Sequence, residues 1–331
     1  MYIKTHSKYK KILIFFLNSI SIGFKTASFF YLKIKSLNKK HYRAAFIISV
    51  NNLSFGGTGK TSLVIKICEE LKKRKIKFAI ITRGYLSKFE KKSVLINSNQ
   101  SPEEIGDEAK VLKNRFPNQD IFVGKERKYS IEKAIENKNR IIILDDGFQS
   151  INIYKDCSIM LLNPEHPYYY LRNFKFLIRK ENFILLYNIS QNHLKNIKKK
   201  HKNSKYGTYK FEHGNFYNKK GKIINIKDSS LIGFSALGDN SRFKESLSMF
   251  NLIGFLGYKD HFSYTQDIID NLNTLRIDKK ADYLICTEKD FVKLINLNLN
   301  NIPLIYSKNI IEFNFNLLGS ILNHAKSKGF I

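Results

Sequence analysis

Residues 50–65 read VNNLSFGGTGKTSLVI, and this stretch decides the fold class. It continues an apolar run over residues 45–51 that predicts a short strand, and it leads into a helical pattern. Glycines let the backbone curl between the two elements, and Gly59-Lys60-Thr61 stands at the predicted start of the helix. Backbone N–H groups at a helix N-terminus form a site for phosphates. The stretch therefore predicts a phosphate-binding loop in an α/β protein.

The loop departs from the familiar Gly-x4-Gly-Lys-Ser/Thr pattern, because Ser54 stands where the first Gly is expected. The rest of the pattern is intact: Lys60 can reach the β- and γ-phosphates of a nucleotide, and the Thr61 hydroxyl can ligate Mg²⁺. A merely structural glycine turn is the alternative. We expect nucleotide binding by Ser54, Phe55, Gly56, Gly57, Thr58, Gly59, Lys60 and Thr61.

Alternating apolar runs predict the remaining architecture. Strands are expected at 77–83, 139–147, 157–162, 182–189, 231–236 and 282–287, with helices near 240–251 and 265–276. The fold class is then α/β, a mostly parallel sheet of the phosphate-loop NTPase type with a second, smaller α/β domain. The lysine-dense segment 193–210 predicts an exposed helix and connector between the domains. The predicted segments are an N-terminal membrane-associating helix (1–40), the phosphate-loop kinase domain (41–192), a basic connector with linker strands (193–225) and the smaller α/β domain closing the active cleft (226–331).

Charge and hydropathy single out the N-terminus. The chain of 331 residues carries a net charge of +29, which attracts anionic partners or reflects a lysine-rich composition. Its first fifty residues contain ten Lys or Arg and no acid, and residues 12–32 form a long apolar segment with basic flanks. We expect a helix lying in an anionic membrane surface. A helix covering the core and a true membrane span are the alternatives.

Two acidic motifs are candidates for catalysis. ILDDGFQ, residues 143–149, ends an apolar strand in Asp145 and Asp146, which suits carboxylates that hold Mg²⁺ beside the loop. EEIGDEAKVLKNRF, residues 103–116, places Asp107 and Glu108 at the start of a helix. They fit helix capping or a carboxylate that takes the proton of an attacking hydroxyl.

Three further motifs supply candidates of lower specificity. VGKERKYS, residues 123–130, offers Arg127 for an anionic group or as part of an exposed basic face. GYKDHFSYTQ, residues 257–266, sets Asp260 beside His261, a catalytic or a structural pair. ICTEKDFVKL, residues 285–294, partly resembles the guanine-reading Asn-Lys-x-Asp of GTPases, but the order of residues differs.

Taken together and in this order, the motifs resemble the tetraacyldisaccharide 4′-kinase family over nearly the whole chain. The segments that carry the resemblance are SVNNLSFGGTGKTS, ITRGY, GDEAK, VGKER, LDDGFQ, FSALGDNSRF, YKDHFSYT and CTEKDFVKL. The family's own loop also lacks the leading Gly, which accounts for Ser54.

The resemblance implies phosphoryl transfer from ATP, with Mg²⁺, to the 4′-hydroxyl of a tetraacylated glucosamine disaccharide 1-phosphate. It implies that Asp107 is the base and His261 its partner, and that Lys60, Thr61, Asp145 and Asp146 handle phosphates and metal. Contacts to substrate or phosphate are implied for Arg83, Glu108, Arg127, Gln149 and Arg179. The enzyme would work on the cytoplasmic face of the inner membrane, where its lipid substrate lies.

The chain also departs from the family pattern. YYYLRNFKFLIRKEN, residues 168–182, replaces a Gly- and Pro-rich stretch, and only Arg179 matches. Ser62 replaces a Pro, and Phe262 replaces a second His. Another phosphate-loop enzyme, or a basic module that binds nucleic acid or membrane, are the alternatives. We expect no nucleic-acid partner, because no recognition motif accompanies the lysines.

Overall fold

The computed structural model describes residues 8–35, 39–53, 58–163, 182–189, 194, 204–314 and 316–331. The helices are α1 (Lys8–Lys35), α2 (Lys60–Lys73), α3 (Pro102–Ile105), α4 (Asp107–Arg115), α5 (Arg127–Glu136), α6 (Asn240–Ser246), α7 (Gln266–Asp278), α8 (Glu288–Leu294) and α9 (Leu317–Ser327). The strands are β1 (Phe46–Asn52), β2 (Phe78–Thr82), β3 (Val94–Leu95), β4 (Asp120–Val123), β5 (Ile141–Asp145), β6 (Cys157–Leu162), β7 (Phe183–Tyr187), β8 (Lys205–Asn218), β9 (Ile223–Ile224), β10 (Ser230–Ser235), β11 (Asn251–Gly257), β12 (Tyr283–Thr287) and β13 (Leu304–Phe313).

The described strands form one sheet of mostly parallel pairs. Its order is β11-β10-β12-β13-β8-β7-β6-β1-β5-β2-β4-β3, with β9 paired to β8 outside this path. Within the described ranges, nine strand pairs are parallel and three are antiparallel. Strand β1 lies between β5 and β6, so the loop after β1 opens at the carboxyl end of the sheet, where ligands of such folds bind.

Alternating side chains of β1 supply two cores on the two faces of the sheet. Phe46, Ile48 and Val50 pack with the buried residues of α2, α4 and α9, whereas Ile47 packs on the opposite face with residues of α5. Such a strand is apolar on both faces, which explains its continuous hydrophobic run. Burying both faces fixes the height at which the phosphate loop leaves the sheet.

Strand β8 joins two halves of the sheet. The first half contains β1 to β7, and the second half contains β10 to β13. Its first residues pair in parallel with β7, and the rest pairs antiparallel with β13. The sequence predicted an exposed helix over 193–210, but residues 205–210 belong to this strand. The reason is its aromatic content, since Tyr206 and Tyr209 are buried in two different hydrophobic clusters while Lys210 is exposed. The remainder of the segment, apart from residues 194 and 204, lies outside the described residues.

The second half repeats the α/β arrangement on a smaller scale. Strands β10 to β13 are covered by α7 and α8 on one face and by α6 on the other. Helix α6 ends at Ser246 rather than near 251, because residues 251–257 form the edge strand β11. Helix α9 returns to the first half, where Leu317 and Ile321 enter its core. The division into four segments therefore stays a prediction.

Helix α1 presents an apolar surface. The segment 13–30 is long enough and apolar enough to cross a membrane, judged by length and composition alone. Few of its residues are buried. The large exposed hydrophobic side chains of this helix include Leu13, Phe15, Phe16, Ile20, Ile22, Phe24, Phe30 and Ile34.

Candidate active site

The described part of the phosphate loop is held from below by strand β8. Gly59 adopts a left-handed conformation with φ of 84°, and a Cβ at this position would lie 2.2 Å from the Phe211 ring. The Tyr209 hydroxyl donates to the Thr58 carbonyl oxygen at 3.0 Å. Within the described ranges the buried Thr58 hydroxyl has no hydrogen-bond partner. Ser54, Phe55, Gly56 and Gly57 lie outside the described residues.

The start of α2 meets the end of β5, as the sequence predicted. The Thr61 hydroxyl donates to Asp145 Oδ2 at 3.2 Å, and Lys60 Nζ lies 3.8 Å from Asp146 Oδ2. Asp146 itself has a left-handed φ of 57° and donates its N–H to the Val50 carbonyl, so the turn after β5 is bonded to β1. The hydroxyl, the ammonium and both carboxylates thus converge at one edge of the sheet.

Asp145 lies in an unusual environment for a carboxylate. It is buried, and its Oδ1 has no hydrogen-bond partner in the described part of the chain. Burial raises its pKa to about 6; the positive charge of Lys60 opposes that rise, and the negative charge of Asp146 adds to it. A buried carboxylate oxygen without a donor is what a cation would satisfy.

A second acidic centre lies at the start of α4. Asp107 is the first residue of that helix, where the positive end of the helix dipole favours a carboxylate. Its Oδ2 lies 3.2 Å from His261 Nδ1, and His261 comes from the loop between β11 and α7. The neighbouring Glu108 adds a second carboxylate in the first turn of the same helix.

Cations of α8 surround the Asp107–His261 pair. Lys293 Nζ lies 3.4 Å and Lys289 Nζ 4.0 Å from Asp107 Oδ2, and Lys289 also binds Glu108 at 2.8 Å. Burial alone would raise the pKa of Asp107, but the His261 hydrogen bond and both lysines together lower it below its ordinary value. The Asp107 hydrogen bond raises the pKa of His261, against the opposing effects of burial and Lys289. The sequence did not single out either lysine.

The His261 backbone is constrained as well. Its φ of 58° is left-handed, which is uncommon for a residue with a side chain. Its N–H donates to Asp260 Oδ1 at 3.0 Å, and Nε2 lies 3.8 Å from Asp260 Oδ2. Tyr85 meets the imidazole edge-on at 5.9 Å between ring centres. The imidazole is therefore oriented by Asp260, Tyr85 and Asp107.

The segment that partly resembles a guanine-reading motif has a structural role. Asp290 is fully buried; its Oδ1 accepts from the Ala236 N–H and the Tyr264 hydroxyl, and its Oδ2 accepts from the Thr287 hydroxyl at 2.6 Å. Thr287 also caps α8 by accepting the N–H of Asp290. Because both carboxylate oxygens accept these hydrogen bonds, Asp290 is not placed to bind a guanine base.

The predicted anion contacts lie in different settings. Arg127 is buried and donates to the carbonyls of Ile81 and Asp145 at 2.5 and 2.9 Å, so it ties β2 to β5 beneath the acidic pair. Burial lowers the pKa of Arg127 to about 10, against the opposing charge of Asp145. Arg83 is more exposed and binds Glu90 at 2.6 Å. Gln149 is exposed in the turn after β5, and Arg179 lies outside the described residues.

One arginine that the sequence did not single out joins the two halves beside the site. Arg115, at the end of α4, binds both carboxylate oxygens of Glu288 at 2.8 and 2.7 Å, and it also reaches Glu69 of α2 at 3.1 Å. Helices α2, α4 and α8 are thus fixed to one another through Arg115. This geometry can hold a polyphosphate on one side and a basic carboxylate on the other.

The chain matches known proteins over nearly its whole length. A family model described as LpxK, tetraacyldisaccharide-1-P 4′-kinase, matches residues 14–325. Similar proteins include the tetraacyldisaccharide 4′-kinases of Wigglesworthia glossinidia brevipalpis (30% identical, over 86% of this chain and 78% of that protein) and Rickettsia conorii (29% identical, over 88% and 89%).

The fold has a solved counterpart. The crystal structure of LpxK from Aquifex aeolicus, described as in complex with ATP, superposes with a TM-score of 0.74 at 21% identity and covers 96% of this chain and 99% of that one. This likeness confirms the predicted fold class, and the family match confirms the resemblance of the motifs. The chain therefore belongs to the tetraacyldisaccharide-1-P 4′-kinase family and is a kinase.

Proposed function

We propose that this kinase transfers the γ-phosphoryl group of ATP to the 4′-hydroxyl of a tetraacylated glucosamine disaccharide 1-phosphate, which gives lipid IVA. We further propose Asp107 as the base and His261 as its partner. The observation that carries the mechanism is the 3.2 Å contact between these two side chains. The names of the related proteins and the ATP complex of the Aquifex aeolicus structure support the substrates.

In the proposed complex the phosphates lie over the loop and the start of α2. Lys60 would reach their oxygens, and the Thr58 hydroxyl and the first N–H groups of α2 would donate to them. The described end of the loop is held in place, since the Tyr209 hydroxyl bonds to the Thr58 carbonyl and the Phe211 ring lies against Gly59. Phosphoryl transfer needs positioning and charge neutralisation more than covalent help, so these fixed backbone positions suit the reaction.

The acidic pair fits a Mg²⁺ ion. Thr61 Oγ1 and Asp145 already lie in contact, and Asp145 Oδ1 is buried without a donor among the described residues. Mg²⁺ is commonly bound by one or two carboxylates together with phosphate oxygens. Thr61 and Asp145 would hold the ion, with Asp146 beside them. When bound, Mg²⁺ neutralises negative charge on the β- and γ-phosphate oxygens.

The proposed chemical step starts at Asp107. Its lowered pKa keeps the carboxylate ionised at neutral pH, so it can accept the proton of the 4′-hydroxyl. As that O–H bond breaks, the hydroxyl oxygen bonds to the γ-phosphorus, and the bond from phosphorus to the bridging oxygen breaks, leaving ADP with the electron pair. His261, with a proton on Nδ1, would donate to Oδ2 and leave the other oxygen, Oδ1, to take the proton of the hydroxyl.

The proposed site residues then divide by position. Glu108 follows Asp107 in α4, and Arg83 lies 5.5 Å from the centre of the Tyr85 ring, which in turn contacts His261. Both side chains would meet the acceptor. Arg127 is bonded to strand carbonyls and would act by placing Asp145. Gln149 and Arg179 are proposed for the rim of the cleft, on the family motif alone.

We also propose that α1 places the enzyme on the cytoplasmic face of the inner membrane. Its exposed apolar side chains and basic flanks suit an anionic surface. The acceptor carries four acyl chains, and each CH₂ leaving the bilayer costs about 0.8 kcal/mol. The protein therefore has to come to the lipid. Co-sedimentation with anionic vesicles should decrease in Phe16→Asp and stay unchanged in Phe262→Leu.

The kinase assay uses purified protein, γ-labelled ATP, Mg²⁺ and tetraacyl disaccharide 1-phosphate in detergent. Label should appear in the lipid, and the rate should fall by at least about a hundredfold in Asp107→Ala. The matched control is Glu103→Ala, which removes an exposed carboxylate four residues earlier. It should retain the wild-type rate.

Two results would reject parts of the proposal. ATP that binds without labelling the lipid would reject the acceptor and leave the phosphate loop intact. An Asp107→Ala variant as active as Glu103→Ala would reject the assignment of the base.

A further inference from the structure

Lys293 occupies a buried position beside the catalytic pair that no role yet explains. Only 6% of its side chain is exposed, and its ammonium lies 3.4 Å from Asp107 Oδ2. Desolvating a lysine is costly unless the charge is balanced and hydrogen-bonded. The ammonium is accordingly surrounded by the Phe262 carbonyl at 3.3 Å and Asp290 Oδ1 at 3.7 Å. Its position is therefore fixed.

The anchor of Lys293 is itself rigid. Asp290 is fully buried and accepts hydrogen bonds from Thr287, Ala236 and Tyr264, so it cannot follow a moving lysine. The Phe262 carbonyl belongs to the residue after His261. The same ammonium thus touches the loop that carries the histidine and the carboxylate that the histidine binds.

Lys289 differs from Lys293 although both belong to α8. Its side chain is 20% exposed, and its shortest ion pair is with Glu108 at 2.8 Å, followed by Asp260 at 3.5 Å. It reaches Asp107 only at 4.0 Å. Lys289 therefore balances the acidic residues around the pair, whereas Lys293 directly faces the carboxylate.

The contacts of Asp107 all fall on one oxygen. In the described part of the chain, His261, Lys289 and Lys293 approach Oδ2, which leaves Oδ1 as the oxygen that can face an acceptor. We propose that Lys293 is a positioning residue for the base: it locks Asp107 Oδ2 beside His261 and holds the carboxylate in its ionised form. The proposal rests on the function proposed above.

The charged groups that face the Asp107 carboxylate define what the substitution of Lys293 changes. They are His261 from the loop after β11, Lys289 and Lys293 from α8, with Asp260, Glu108 and Asp290 next to these cations. Removing one cation at 3.4 Å should move the titration of Asp107 upward, because an opposite charge that favours the carboxylate is lost. It should also move the titration of His261 upward, because a repelling charge is lost.

The experiment compares wild type, Lys293→Met, Lys293→Arg and the exposed control Lys279→Met. We expect Lys293→Met to lower kcat by about tenfold or more, to shift the acid limb of kcat/KM to higher pH, and to leave KM for ATP unchanged. Lys293→Arg should restore the acid limb, and Lys279→Met should match wild type. The double variant Lys293→Met/Asp290→Asn serves if the single variant does not fold, because it leaves no buried charge unpaired.

A second readout does not need the reaction. In protein labelled with 15N-histidine, the His261 signal, assigned with His261→Gln, should titrate at higher pH in Lys293→Met and return in Lys293→Arg. If wild type transfers no phosphate but this shift occurs, the positioning role stands and the proposed acceptor fails. An unchanged His261 titration, or a rate lost equally at every pH, would overturn the role of Lys293.

Discussion

Asp107 Oδ2 lies 3.2 Å from His261 Nδ1, although the two residues are 154 positions apart in the chain. Asp107 belongs to α4 on the first half of the sheet, and His261 to a loop of the second half. The contact therefore forms only when the two halves are packed together. Its partners, Lys289 and Lys293 of α8, lie on the same side of this boundary as His261.

The pair predicts a pH window for stability. Asp107 has a lowered pKa, so its contribution is present above its ordinary value of 3.8 and is lost as pH falls through the folded value. His261 has a raised pKa, so its contribution is present below 6.5 and is lost as pH rises through the folded value. The contact should stabilise the fold most between these limits.

His261→Gln should therefore lower the free energy of unfolding by about 1–2 kcal/mol near pH 5 to 6 and by less at pH 8 or above. Urea unfolding at a series of pH values measures this difference. A loss that is equal at every pH would mean that the charged form of His261 contributes nothing.

Gly59 predicts a steric and a conformational cost that can be separated. Gly59→Ala meets both a left-handed φ of 84° and the Phe211 ring at 2.2 Å, whereas Gly221→Ala meets a φ of 74° with nothing within 4 Å. Gly221→Ala should lose about 1 kcal/mol, and Gly59→Ala at least about 2–3 kcal/mol with loss of nucleotide binding. Thermal melts and ATP titration measure both, and equal losses would show that Phe211 moves aside freely.

Arg115 should matter more than an ordinary surface arginine. Its guanidinium is mostly buried and bonded to Glu288 and Glu69, whereas Arg74 forms an exposed i,i+4 pair with Glu70. Arg115→Ala should cost about 2–3 kcal/mol of unfolding free energy, and Arg74→Ala less than about 0.5 kcal/mol. Denaturant unfolding distinguishes them. Similar small losses for both would mean that the halves are held together by apolar packing alone.

Asp145 predicts a conflict between stability and activity. Its buried carboxylate lacks a donor for Oδ1 among the described residues, and burial raises its pKa to about 6. Asp145→Asn removes that charge and should stabilise the metal-free protein by about 1–3 kcal/mol at pH 8 while abolishing kinase activity. Differential scanning calorimetry at pH 8 without Mg²⁺ provides the test. A lower melting temperature would show that the carboxylate is satisfied in the folded protein.

Local patterns in the sequence predicted the elements that carry the first half. The continuous apolar runs of β1 and β5 each end in polar residues at the carboxyl edge of the sheet, and this pattern is enough to predict that Thr61 and Asp145 lie together. The pairing of Asp107 with His261 came from the family motifs rather than from periodicity. The contact in the structure supports it without testing its chemistry.

The remaining features depend on contacts that sequence patterns do not encode. The many lysines of residues 193–210 led to the prediction of an exposed segment, although β8 contains buried aromatic residues. Composition over a window does not show which face of a strand each side chain takes. Lys293 and Arg115 look like ordinary helix-surface cations until α8 packs against α4. Burial and partner, rather than residue type, give these side chains their roles.

The return of α9 to the first half has a consequence for synthesis on the ribosome. Leu317, Ile321 and Ala325 complete the core around Phe46, and Lys328 binds Asp156 of the first half. The nucleotide-binding half therefore has an open hydrophobic face until α9 has been synthesised and has left the exit tunnel. Its folding cannot finish before that point, and the nascent protein has to keep this face from aggregating until then.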